Sequence, residues 1–210
     1  MTDVLTRKTI ETKEQLRALM GEPAERAVKK QMDRLDGHCR AIVARSPFLL
    51  LGTSGADGRC DVSPKGDLPG FTLVLDDTTL VIPERPGNKR VDSLTNILEN
   101  PHVGLLFVVP GKEETLRVNG RASIVLDEDL LARMAHDGKP PILGIEVKVE
   151  ECYAHCAKAF KRSGLWEPAR WPEVSDLPTL AQMMVDQCKL TDPVDEVHAS
   201  IEEAYRTRLW

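Results

Sequence analysis

The sequence predicts a mainly β domain of antiparallel strands with helical extensions before and after it. Strand-length apolar runs joined by short turns predict the antiparallel strands. For example, the turn residues Pro110-Gly111 join the runs Val103–Val109 and Thr115–Ile124. The two ends of the chain instead carry apolar residues at helical spacing. We therefore predict a helical extension over residues 1–45, a β core over 46–150 and a helical segment over 151–210.

Size and charge narrow the class of protein. A chain of 210 residues is long enough for one core-bearing domain with appendages. Its net charge of -5 gives no basic excess, so neither nucleic acid nor an anionic membrane is expected as a partner. The longest apolar runs have strand length, and the N-terminus lacks a signal-peptide pattern. Five scattered cysteines indicate reduced thiols and a cytoplasmic protein.

The N-terminal extension is predicted to hold two helices. Thr12 and Gln15 fit a capping box at the start of the first helix, which Gly21-Glu22-Pro23 ends. A second helix is predicted from Ala24 to about Leu35, after which Asp36-Gly37-His38 turns the chain. We assign this region to packing, capping or dimer contact.

The core is predicted to contain successive hairpins. Phe48–Thr53 and Arg59–Lys65 form the first, and Pro64 indicates that the second strand is an edge or ends there. Phe71–Leu75 and Thr79–Ile82 form the next. A helix over Asp127–His136, with Asp127 as its N-terminal cap, and a last strand over Ile142–Val149 close the core.

A turn of sequence Gly87-Asn88-Lys89-Arg90 precedes an amphipathic helix through Leu94, Ile97 and Leu98. Two cations and the unpaired N–H groups at the start of a helix favour an anion such as phosphate. The same four residues also suit a solvated surface turn, and the local pattern alone does not separate these interpretations.

The order of strand, G-N-K-R, helix and E-N-P-H-V-G-L-L-F resembles the FMN-binding split barrel of the pyridoxamine 5′-phosphate oxidase-like families. In those families a G-S-R-K turn binds the flavin phosphate. Asn88 stands here at the serine position, and Lys89-Arg90 supply the two basic residues in reversed order. The resemblance covers about residues 46–150 and implies an antiparallel split β-barrel that binds FMN noncovalently. It also implies a homodimer with a flavin at each subunit interface.

The resemblance places Lys65 at a strand end where the families use a basic residue against the flavin, although the local pattern alone favours an exposed loop lysine. Arg117 and Asn119 share a strand face opposite Leu116 and Val118, and either the flavin ring or solvent could lie there. The predicted cofactor-binding residues are Ser63, Lys65, Ile82, Pro83, Asn88, Lys89, Arg90, Arg117 and Asn119.

The segment Glu151–Trp166 offers two interpretations. Cys152, His155 and Cys156 could ligate a metal, but no fourth ligand follows at zinc-like spacing, so no metal site is predicted. As a helix, the segment would put basic residues near one face. It is similar to an H-C-x-K-x-x-x-R-S-x-L-W segment that borders the flavin in some split-barrel flavoproteins. On that resemblance the substrate side comprises His155, Lys158, Arg162 and Trp166, with ordinary packing as the alternative.

These features predict an FMN-dependent oxidoreductase acting on an unidentified small molecule, with no catalytic residue assigned. True pyridoxamine 5′-phosphate oxidases carry an R-L-x-P signature, whereas this chain has Thr207-Arg208-Leu209-Trp210, so oxidation of that vitamin is not expected. The alternatives are a noncatalytic flavin- or haem-binding module, with His155 as the haem ligand, or a structural protein without a cofactor.

Overall fold

The computed structural model describes residues 8–210. The chain divides into two compact units, one ending at Gln31 and one spanning Met32–Trp210, and the part of the predicted N-terminal extension before residue 8 lies outside the described residues. In the first unit, α1 is Lys13–Met20 and α2 is Glu25–Lys29. The side chain of Thr12 accepts a hydrogen bond from the backbone N–H of Gln15 (3.2 Å), which confirms the predicted cap.

The second predicted helix is wrong beyond Lys29. Met32 instead exchanges two backbone hydrogen bonds with Cys152, at 3.0 and 2.7 Å, and this strand-like pairing excludes a helix there. The turn predicted at Asp36 opens a further helix, α3 (Gly37–Val43). The Asp36 carboxylate accepts from the Cys39 N–H at 2.8 Å, which lowers the pKa of Asp36.

Seven strands form one sheet, and every hydrogen-bonded pair is antiparallel, as predicted. The order across the sheet is β2-β1-β5-β6-β7-β4-β3. Pro64 lies in the edge strand β2, where a missing N–H does not interrupt a second ladder. The strands are β1 (Phe48–Ser54), β2 (Cys60–Gly66), β3 (Leu73–Val74), β4 (Thr79–Glu84), β5 (His102–Val108), β6 (Thr115–Val125) and β7 (Leu143–His155).

The sheet curls on itself without closing. In a flat sheet β2 and β4 would lie about 24 Å apart, because five steps of about 4.8 Å separate them. However, Lys65 Nζ lies 2.5 Å from Glu84 Oε2, and Arg85 Nε lies 2.7 Å from Asp67 Oδ2. Side chains therefore cross a gap that no backbone ladder between the described strands bridges. This gap is the split of an antiparallel split barrel, and we call it the split below.

The inner face of the curled sheet holds the main core, which includes Leu49, Leu51, Phe107, Leu116 and Val118, all essentially inaccessible to solvent. Two helices cover this core. Helix α3 contributes Cys39 and Val43, and α4 (Asp92–Glu99) contributes Leu94 and Ile97. The remaining helices are α5 (Glu128–Ala132), α6 (Lys158–Ser163), α7 (Leu180–Cys188) and α8 (Val194–Thr207). Among the described residues, no helix is long and apolar enough to cross a membrane.

Strand β7 is longer than the sequence predicts. It continues past Val149 to His155, so residues 151–155 are strand and not helix, and β7 crosses residue 150, where the predicted core ends. Pairing with β6 causes this extension, since Thr115 lies opposite His155 and Arg117 opposite Tyr153. A register shift at Asn119/Gly120 lets the long strands bend.

Candidate functional site

A cavity of about 200 Å³ lies at the split, between β2, the end of β4, the loop before α4 and the first turn of α4. It brings together four of the predicted cofactor-binding residues, namely Ser63, Lys65, Asn88 and Arg90. Its full lining is Asp61, Val62, Ser63, Pro64, Lys65, Glu84, Asn88, Arg90, Val91, Asp92, Ser93 and Leu94.

Strand pairing directs Ser63 and Lys65 toward the cavity. Lys65 lies opposite Leu49 and Ser63 opposite Leu51 in the β1–β2 ladder. Directly opposed residues of an antiparallel pair share a face of the sheet, so both polar residues face inward with the buried leucines. Because β2 is an edge strand, its inward face opens onto the split.

The loop before α4 has an uncommon backbone. Lys89 and Val91 have φ angles of 60° and 55°, and Val91 is the residue that caps α4. This left-handed region is unfavourable for a β-branched residue, and such strain persists mainly where the surroundings enforce it, often at ligand sites. The helix therefore begins at Asp92, later than the predicted start in Gly87–Arg90. Its first N–H groups receive no side-chain cap and lie at the cavity.

Carboxylates pair with the cations of the cavity. Lys65 bonds to Glu84 at 2.5 Å, with only 13% and 23% of the two side chains exposed. Arg90 bonds to Asp92 at 2.8 Å in a far more exposed pair, which raises the pKa of Arg90. A third carboxylate, that of Asp61, accepts a hydrogen bond from Ser93 Oγ at 2.7 Å. The residues that line the cavity therefore carry two cationic and three carboxylate side chains. An anion entering this cavity must compete with these carboxylates for its donors.

Three other predicted cofactor-binding residues do not line the cavity. Lys89 is exposed in the loop. Ile82 is fully buried in the core, opposite Ile145, and Pro83 is buried opposite Gly144.

Arg117 and Asn119 lie on the outer face of β6, as the predicted alternation with Leu116 and Val118 requires. Arg117 Nη1 donates to the Tyr153 hydroxyl at 2.8 Å, and Asn119 Nδ2 donates to Glu151 Oε1 at 3.1 Å. Strand β6 is three steps, about 14 Å, from β2. Within one chain, Arg117 and Asn119 are therefore too far from the cavity to line it, and they lie on the opposite face of the sheet.

The predicted substrate-side residues lie at the end of β7 and after it. His155 ends that strand, with its ring centroid 5.1 Å from that of Tyr153. Lys158 and Arg162 are exposed on α6. Trp166 stacks on Phe160 and donates from its indole N–H to the Lys112 carbonyl at 3.0 Å, which fixes it on the β5–β6 turn. Cys152 faces the core instead, with its sulfur 3.3 Å from that of Cys39, and burial raises the pKa of both thiols.

Sequence reasoning missed the acidic members of the cavity and the tyrosine beside Arg117. A signal for Glu84 was present, because it follows Leu80 and Ile82 at period two and ends an otherwise apolar strand face. A charge at that place indicates a polar partner beyond the strand end. Nothing in the local sequence identifies Lys65 as that partner.

Comparison with solved structures finds similar proteins of low sequence identity. HupZ from Group A Streptococcus is 19% identical (TM-score 0.46, covering 57% of this chain and 92% of that chain). A putative pyridoxamine 5′-phosphate oxidase from Lactobacillus delbrueckii is 22% identical (TM-score 0.45, 58% and 95%). An FMN-binding protein from Syntrophomonas wolfei is 12% identical (TM-score 0.45, 56% and 83%).

No curated protein matches the chain at a significant level. A family profile described as pyridoxamine 5′-phosphate oxidase matches residues 35–156, which is more than half of the chain and includes the whole of the β sheet. The chain therefore belongs to the pyridoxamine 5′-phosphate oxidase family.

Proposed function

We propose that the protein binds FMN with the phosphate in the cavity at the split and acts as an FMN-dependent oxidoreductase on a small molecule. The observation that carries this proposal is the convergence of Ser63 and Lys65 from β2 with Asn88 and Arg90 from the loop before α4. A hydroxyl, an amide, an ammonium, a guanidinium and helix N-terminal N–H groups are the donors that phosphate sites use. Family membership supports the same assignment.

The size of the cavity fits part of FMN. Pockets that enclose a whole small ligand hold about 300–1,000 Å³, whereas this cavity holds about 200 Å³. Phosphate and a portion of the ribityl chain fit in that space, and the flavin ring would extend beyond it. When bound, FMN supplies the electron-transfer chemistry, while the protein binds and orients it.

The residues of this chain have separate tasks in the proposal. Lys65 and Arg90 bind the phosphate, and Ser63 and Asn88 add neutral hydrogen bonds. Arg117 and Trp166 are assigned to the ring and substrate side, which a single chain does not bring to the cavity. We also propose a cytoplasmic location, in keeping with five free cysteines.

The proposed function is tested by titrating flavin-free protein with FMN and with riboflavin, which lacks the phosphate. We expect FMN to bind at least about tenfold more tightly, since one charge-assisted hydrogen bond contributes about 1.5–3 kcal/mol. Flavin fluorescence reports binding, and anaerobic bleaching of the flavin band by reduced nicotinamides reports redox competence. Equal affinity for both flavins would contradict the phosphate assignment. A Soret band would indicate the haem-binding alternative instead.

We further propose a homodimer that completes the flavin site. Directly opposed residues form two rows across the outer face of five strands. The rows run Pro64, Leu50, Leu106, Arg117, Tyr153 and Val62, Gly52, Gly104, Asn119, Glu151. They are apolar near β2 and polar near β7, and Val62 is 63% exposed. A second copy on this face would bury the apolar half and bring its own Arg117 toward this cavity.

Light scattering of the flavin-loaded protein is expected to give twice the chain mass of 23.3 kDa. Val62→Asp introduces a charge into the apolar half of the outer face and is expected to yield monomers. Val174→Asp is the matched control, because Val174 is also exposed (56%) but lies in a loop far along the chain from the sheet. A monomeric wild type, or equal behaviour of the two variants, would argue against this interface.

A further inference from the structure

The carboxylate of Glu84 forms an ion pair with Lys65 inside the cavity. Its Oε2 lies 2.5 Å from Lys65 Nζ, and both side chains are largely removed from solvent. Glu84 lies at the end of strand β4 and Lys65 lies in the edge strand β2, so the sheet register fixes the backbone positions of both residues. An ion pair with this little exposure is screened weakly by water and salt.

We propose that Glu84 is an internal competitor for Lys65 that weakens phosphate binding and keeps the flavin exchangeable. This inference rests on the proposed function, because it concerns the phosphate site of that proposal. A lysine ammonium has three donors and can bridge Glu84 and a phosphate. The carboxylate would then lie beside the phosphate oxygens, and two negative groups that share one cation oppose each other's binding. Bound FMN should therefore dissociate readily and exchange with FMN in solution.

The other ion pair of the cavity has a different character. Arg90 and Asp92 are 73% and 46% exposed, and Arg90 has five donors in a planar fork. Arg90 can bond to a phosphate while keeping its contact with Asp92, and solvent screens the repulsion between Asp92 and the ligand. Removing the charge of Glu84 should thus matter far more than removing the charge of Asp92, although both changes alter the net charge of the lining equally.

The test uses Glu84→Gln, which keeps the shape and an acceptor for Lys65 but removes the charge. We expect the affinity of flavin-free protein for FMN to rise by about tenfold or more, mainly through slower dissociation of FMN. Riboflavin affinity is expected to stay within about twofold of the wild-type value, since no phosphate is present to benefit. Asp92→Asn is the matched control, with an expected change in FMN affinity below about threefold.

A second variant, Glu84→Ala, separates competition from positioning. If Glu84 competes for Lys65, both variants bind FMN more tightly than the wild type. If Glu84 instead holds Lys65 in place for the ligand, Glu84→Ala binds FMN more weakly, and that result overturns the inference. Unchanged affinity in Glu84→Gln overturns it as well. Thermal unfolding of each variant verifies that the fold is retained.

Failure of this inference is distinguishable from failure of the proposed function. The proposed function fails if the wild type does not prefer FMN over riboflavin. The inference alone fails if the wild type prefers FMN but either Glu84 variant does not bind it more tightly. Stopped-flow exchange of bound FMN against excess ligand measures the dissociation rate directly and needs no substrate.

Discussion

Replacing Lys65 by alanine is expected to lower the affinity of the flavin-free protein for FMN by about a hundredfold. The variant loses a charge-assisted hydrogen bond to the phosphate, which alone contributes about 1.5–3 kcal/mol. It also leaves Glu84, whose side chain is only 23% exposed, without its cation and beside the incoming phosphate. Riboflavin affinity should change by less than about twofold, because riboflavin presents no charge to either residue. Fluorescence titration with the two flavins measures both values.

Lys89→Ala is the matched control for this prediction. Lys89 is a cation of the loop before α4 and precedes the cavity residue Arg90, but it is exposed and does not line the cavity. The Lys89→Ala substitution should lower the affinity for FMN by no more than about threefold, because solvent and salt screen exposed charges. If Lys65→Ala lowers the affinities for FMN and for riboflavin to the same degree, Lys65 stabilises the cavity as a whole and does not bind phosphate. If Lys89→Ala has the larger effect, the phosphate lies outside the cavity, at the tip of the loop.

Local sequence patterns predicted the parts of this fold that depend on neighbouring residues. Alternation placed Leu116 and Val118 in the core and Arg117 and Asn119 outside, and the structure confirms it. The caps at Thr12 and Asp127 are likewise confirmed, because each side chain bonds to a backbone N–H three residues on. Pairing of consecutive strands by short turns was predictable for the same reason.

Features that depend on tertiary contacts were not predictable. Strand β7 extends to His155 because β6 offers a partner along its whole length. The start of α4 is set by the left-handed conformation of Val91, which the propensity of valine argues against. Met32 leaves its predicted helix to pair with Cys152, whose position 120 residues on is visible only in the folded chain.

The candidate site likewise has parts that the local sequence predicts and parts that depend on tertiary contacts. The motif around Asn88 and Arg90 was visible in the sequence, as was the strand end at Lys65. The contact of Lys65 with Glu84 requires the sheet to curl through five strand steps, and no local pattern encodes that curl. The position of Arg117 on the opposite face explains why a single chain assembles only the phosphate part of the predicted site.

The largest loss of stability from a small change is expected at Gly120, at the register shift between β6 and β7. A Cβ added there would overlap the Lys148 carbonyl oxygen and lie 2.9 Å from the carbonyl carbon. Both are backbone atoms of the paired strand, so no side-chain rotation can relieve the contact. We expect Gly120→Ala to lower the free energy of unfolding by about 3 kcal/mol or more, a large part of the roughly 5–15 kcal/mol typical of domains.

Gly52→Ala provides the control for Gly120→Ala on the same sheet. A Cβ at Gly52 would lie 3.5 Å from the Gly104 carbonyl oxygen, an ordinary contact, and we expect a change below about 1 kcal/mol. Urea unfolding of both variants measures the difference between them. Equal stabilities would mean that β6 and β7 can shift their register without cost. In that case the bulge at Asn119/Gly120 would not fix Arg117 opposite Tyr153, and the outer face would lack a fixed geometry of its own at that position.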